Sequence, residues 1–151
     1  IARNYPDIKT ESLLVDAACM DFIRKPEVFD VVVASNLFGD ILTDIGAIIT
    51  GSMGLAPSGN IDPSRNFPSM FEPVHGSAPD IVDQGVSNPL ATIFSGAMML
   101  DHLGESSSSK IIQSAVEQLI KEGNILTKDL GGTSSTSKVG DSVVDYIKDL
   151  Y

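Results

Sequence analysis

The chain has 151 residues, 42% of them hydrophobic, and a formal net charge of −10 from 20 acidic and 10 basic side chains. That length suits one compact domain of ordinary size with a real core. The acidity excludes the clustered Lys and Arg that non-specific nucleic-acid or anionic-membrane binding requires, and favours a cation or a cation-bound substrate.

The chain opens at Ile1, not Met, on the polar stretch ARNYPDIK. This is the pattern expected of a segment from within a longer polypeptide. Residues 8–15 (IKTESLLV) suit a strand. Residues 16–25 suit a helix, with Asp16 as N-cap, Ala17, Met20 and Ile23 on one face and Pro26 as the stop. Cys19, in an apolar run, is expected to be a small buried side chain. A lone cysteine can make no internal disulfide, so a reducing, cytoplasmic setting is expected. Residues 29–34 (FDVVVA) form an apolar, β-branched run that suits a strand buried on both faces, as in a parallel α/β sheet. A helix carrying Asp40 and Asp44 follows at once.

Residues 51–67 are rich in Gly, Pro, Ser and Asn and read as a long loop. A short strand is expected within residues 69–74, then a turn at HGSAPD. Asn88-Pro89 signals a helix start with Pro at the first position. Residues 90–103 are apolar on most faces, which predicts a buried helix, with His102 near its C-terminus where the dipole favours it. The serines at 106–109 are read as linker and N-cap. Residues 108–122 are amphipathic, with Gly123 as the stop. Residues 127–137 read as a Gly/Ser/Thr loop, and 138–150 as a last amphipathic helix. No run is apolar enough for long enough to span a bilayer.

Two constellations carry chemistry. Asp40 and Asp44 lie four residues apart, hence on one helix face, where like charges repel by roughly 0.2–0.5 kcal/mol. The plain reading is a helix-start Asp beside a solvated one. Asp16 also follows an expected strand, and ligands of open α/β sheets gather at the carboxyl ends of strands. Three carboxylates converging there would suit Mg2+ or Mn2+. The second constellation is FEPVHGSAPDI, residues 71–81. Backbone N–H groups at Gly76-Ser77 would approach a phosphate closely, His75 would donate to the same anion, and Asp80 would accept from a ribose hydroxyl. The plain reading is a surface turn. There is no G-x-G-x-x-G and no nucleophile motif.

Taken in order, ASNLFGDILTD, GSMGLAP, FEPVHGSAPDI, SNP and TKDLGGTSST resemble the metal-dependent decarboxylating 2-hydroxyacid dehydrogenases. These include the isocitrate, 3-isopropylmalate, tartrate and D-malate enzymes. The finer resemblance is to the tartrate/D-malate branch, with the 3-isopropylmalate branch as the alternative. The resemblance implies an isopropylmalate-dehydrogenase-like two-domain α/β fold, of which this chain is the C-terminal portion. Residues 1–50 would complete a dimer-forming domain, and 51–151 the nucleotide-side domain. It implies NAD-linked oxidation, with decarboxylation, of a small 2-hydroxy dicarboxylic acid by a homodimer. Asp16, Asp40 and Asp44 match the metal-binding aspartates, Asp16 reaching the site of the other subunit and counting also as catalytic. Glu72, His75, Gly76, Ser77, Ala78, Asp80, Ile81 and Asn88 match positions lining the dinucleotide, with Asn88 near the adenine. The Asp80-Ile81 pair is of the NAD type, because an Asp would repel a 2′-phosphate and accept from a 2′-hydroxyl.

The chain departs from the family pattern in two ways. The acid/base Lys and Tyr and the substrate-clamping arginines normally lie upstream. Here only Arg3, Arg24 and Arg65 occur, none in a clamp motif. Val82-Asp83-Gln84 also replaces a Gly/Lys-rich stretch. The isolated chain is therefore expected to be inactive. A non-catalytic subunit or interaction domain is the reading from another class. The intact aspartates and HGSAPD turn count against it.

Overall fold

The computed structural model describes residues 1–151. Five α-helices and one two-stranded antiparallel sheet form two compact units, residues 1–49 and 50–151. No helix is long and apolar enough to cross a membrane.

The first unit is built on α1 (Val15–Arg24) and α2 (Asn36–Ile49), which pack together through the buried Ala18, Leu42 and Ala47. Phe22 and Phe29 add a tilted ring contact at 4.6 Å. Pro26 follows α1 and opens a short 3-10 turn, because it cannot donate to the helix ladder. Neither strand expected in this unit forms. Residues 8–14 and 29–34 have no ladder partner, and a strand exists only where its N–H and C=O groups are paired. The run expected to be buried on both faces is open instead, with Val31 at 86% and Val33 at 94% exposure. Cys19 is only half-buried.

In the second unit, β1 (Pro57–Asn60) pairs with β2 (Met70–Pro73), with Ser58 opposite Glu72 and Gly59 opposite Phe71. The composition PSGN disfavours a strand and is that of a loop, but pairing with β2 overrides that preference. Asp62 organises the connection: its carboxylate accepts the N–H groups of Ser64, Asn66 and Phe67 and the Ser64 hydroxyl. α3 (Leu90–His102) lies on this sheet, and a Cβ on Gly59 would sit 3.2 Å from the Met98 sulfur. α4 (Ser106–Glu122) packs on α3, and α5 (Thr136–Leu150) packs on α4. The core is Leu90, Ala115, Val116, Leu119, Val139 and Val143. The serines at 106–109 are neither linker nor N-cap: all four lie inside α4, whose N-cap is Glu105, and Ser109 is buried. Gly123 ends α4 in the left-handed conformation at φ 69°, the stop its position predicts.

Candidate functional site

α2 begins at Asn36, so Asp40 and Asp44 lie in its second and third turns, exposed to solvent, and Asp40 is not at the helix start as expected. Asn36 donates from Nδ2 to Asp40 Oδ2 at 3.3 Å, and the Thr43 hydroxyl donates to the Asp40 carbonyl at 3.0 Å. The ion pairs of the chain are Lys25–Asp21 and Lys148–Asp145, so no cation neutralises this acidic pair. Asp16 is the second residue of α1 rather than its N-cap, which is Leu14. Its Oδ1 accepts the Ala17 N–H at 2.8 Å. No three acidic, His or Cys side chains come together to hold a metal ion. Asp16 therefore does not converge with Asp40 and Asp44 within one chain, and the expectation of a shared sheet edge fails with the strands that would have made it.

In the second unit, β2 delivers Glu72 to solvent and runs into the turn at His75. His75 Nδ1 lies 3.0 Å from the Gly76 carbonyl. Gly76, Ser77, Ala78 and Asp80 are exposed along this turn, and Ile81 is half-buried. A Cβ on Gly76 would meet no protein atom within 4 Å. The glycine is therefore not demanded by the chain's own packing. Ala78 is held left-handed at φ 42°, a conformation that costs a non-glycine residue of order 1–2 kcal/mol. Pro79 and Asp80 then start a 3-10 turn ending at Ile81. Gln84 Nε2 donates to the Asp80 carbonyl at 2.8 Å, so the departure at residues 82–84 folds back onto this turn.

Asn88 is 7% exposed, and its amide is committed at both ends. Oδ1 accepts the Leu90 N–H at 2.9 Å, which caps α3, and Nδ2 donates to Asp129 Oδ2 at 2.9 Å. Pro89 is the N-cap residue of α3, one place before the first helical position expected for it, and the Asn88 side chain satisfies the first helical N–H. Asp129 carries no motif of its own in the sequence. Its carboxylate also accepts from Thr127 Oγ1 at 2.5 Å and from the Ser52 hydroxyl. Burial opposes ionisation of Asp129, but the hydrogen bonds from Ser52, Thr127 and Asn88 outweigh it and lower the pKa. The sequence signal was only a polar TKDLGG loop. Nothing local says that it meets residues 52 and 88.

A separate cleft of about 300 Å3 is lined by Arg65, Phe67, Ser69, Phe71, Met99, His102 and Leu103. There the Arg65 guanidinium donates to the His102 carbonyl at the end of α3, a cation placed where the helix dipole favours one. None of the predicted site residues lines it.

The fold is that of the isocitrate-dehydrogenase type. The solved isocitrate dehydrogenase of Methylococcus capsulatus matches 98% of this chain at a TM-score of 0.93 and 43% identity, over 43% of that structure. The chain belongs to the isocitrate/isopropylmalate dehydrogenase family, whose sequence profile matches residues 1–143. It is 50% identical over 149 residues to a probable tartrate dehydrogenase/decarboxylase of Bacillus subtilis, covering 99% of this chain and 42% of that protein. It is 49% identical over 152 residues to the decarboxylating D-malate dehydrogenase of Escherichia coli, covering 97% of this chain and 42% of that protein. The chain thus spans about two fifths of the length of these relatives.

Proposed function

We propose that the protein oxidises a small 2-hydroxy dicarboxylic acid of the tartrate or D-malate type, with NAD as hydride acceptor and loss of CO2. This chain would carry part of the metal site and one wall of the dinucleotide site. The observation that carries the reading is the exposed Asp40/Asp44 pair, one turn apart on a mostly apolar helix with no ion-pair partner. Oxygen donors with open positions around them suit a hard dication. When bound, Mg2+ or Mn2+ would be held by Asp40 and Asp44 of one chain and Asp16 of a second, and it would polarise the substrate hydroxyl and carboxylate.

The chain's own residues bind and orient. Glu72, His75, Gly76, Ser77, Ala78, Asp80, Ile81 and Asn88 form the dinucleotide wall, with Asp80 selecting a 2′-hydroxyl over a 2′-phosphate by charge. No side chain here is assigned the proton transfers, so the 151 residues alone are expected not to turn over. A homodimer accounts for Asp16, which finds no metal partners in its own chain. The exposed apolar residues of the first unit support it.

Manganese titration of the whole polypeptide as encoded tests the metal assignment. Asp40→Asn should weaken Mn2+ binding by roughly tenfold or more and lower turnover with it. Unchanged Mn2+ affinity would sink the assignment. NADH formation from D-malate, tartrate and 3-isopropylmalate, run in parallel, tests the substrate. Preference for 3-isopropylmalate would overturn the branch chosen here.

A further inference from the structure

Six polar residues of the chain are buried: Ser52, Asn88, Ser95, Ser109, Thr127 and Ser142. Three of them, Ser52, Asn88 and Thr127, place a donor on the single carboxylate of Asp129. They come from three separate segments of the second unit. No Lys or Arg forms an ion pair with this carboxylate. It therefore serves as an acceptor node for neutral donors, and no buried side-chain polar atom is left unpartnered.

The node holds one stretch in particular. Thr136 donates its N–H to the Gly85 carbonyl at 2.8 Å and its hydroxyl to the Ser87 carbonyl at 2.5 Å. With Asn88 on Asp129, the segment 127–136 fastens residues 85–88 at three points. Ser52 completes the support: its hydroxyl accepts the Gly54 N–H at 2.9 Å, and Gly54 lies so close to Asn88 that a Cβ there would sit 2.7 Å from it. Residues 85–88 lie just beyond the HGSAPD turn, after residues 82–84, and end on Asn88, itself a candidate dinucleotide residue.

We propose that Asp129 is a positioning residue for the dinucleotide, fixing through Asn88 and Ser52 the backbone of residues 85–88 against which the adenosine end rests. This rests on the reading of residues 72–88 as the NAD wall. One consequence is specific. Since both ends of the Asn88 amide are committed inside the fold, recognition at this position falls to the backbone.

The test uses the whole polypeptide as encoded, with AMP as probe of the adenosine end, binding read by calorimetry and steady-state kinetics alongside. Asp129→Ala should raise the AMP Kd and the KM for NAD by about tenfold, with kcat at saturating NAD and the KM for the hydroxyacid within about twofold. Asp129→Asn should restore most of the AMP affinity, because its carbonyl can face Ser52 and Asn88 while its amide donates to Thr127. Val143→Ala, a core variant, should lower thermal stability and leave AMP affinity unchanged. If Asp129→Ala does not fold, Ser52→Ala removes one donor and should raise the AMP Kd by about threefold. AMP affinity unchanged in Asp129→Ala, or in Ser52→Ala where that stands in for it, would overturn the proposal. So would an equal loss in Val143→Ala. Wild-type protein that binds neither AMP nor NAD would overturn the NAD-wall reading itself, and this proposal with it.

Discussion

Asp129 and Asp40 show how two aspartates of one chain take opposite roles. Asp40 is exposed, meets the Asn36 amide, and has no ion-pair partner. Asp129 accepts from three buried neutral donors and has its pKa lowered. A carboxylate whose folded pKa lies below its unfolded value favours folding above the unfolded value. That contribution is lost as pH falls through the folded pKa. The thermal midpoint of the wild type should therefore exceed that of Asp129→Asn by a constant margin near neutrality. Below about pH 4, close to the ordinary Asp value, the margin should shrink. A melting series from pH 7 to pH 3 checks this, and a margin that grows on acidification would contradict it.

The helices owe their places to different causes. α5 starts on Ser135, whose hydroxyl accepts the Lys138 N–H at 3.2 Å, and buries Val139, Ser142 and Val143. α4 buries Ala115, Val116 and Leu119 between α3 and α5. The 3.6-residue spacing of these side chains made both helices legible from sequence. Leu119 is 1% exposed at the centre of this stack. Leu119→Ala should cost about 2–5 kcal/mol in denaturant unfolding, the range for a leucine deletion that leaves a cavity. An exposed Leu150→Ala should stay within about 0.5 kcal/mol. β1 belongs to the opposite case: proline, serine, glycine and asparagine make a strand only because β2 offers a ladder.

The two units differ in how much apolar surface they cover. In the first, the buried apolar side chains are Ala18, Leu42 and Ala47, while Val31, Val33, Leu37, Phe38, Ile41, Ile48 and Ile49 are exposed. Exposed apolar patches on this scale mark association surfaces. On the homodimer reading, sedimentation of the whole polypeptide should give a dimer, and Ile48→Lys on α2 should shift it toward monomer. A wild type that stays monomeric at micromolar concentration would contradict the dimer.

Local pattern alone places α1, α3, α4 and α5 to within about two residues, and gives the existence of α2, the β2 strand, the turn at HGSAPD and the family. These rest on periodicity, on glycine and proline punctuation and on ordered local motifs, all properties of neighbours along the chain. Tertiary structure alone decided three things. FDVVVA is an open run here, because a strand needs a partner that no local pattern supplies. Asp16 stays apart from Asp40 and Asp44, because convergence depends on how helices pack and not on their caps. Asp129 became the node of the second unit, because its donors lie 77, 41 and 2 residues away. Only the folded chain brings the two distant ones to a single carboxylate.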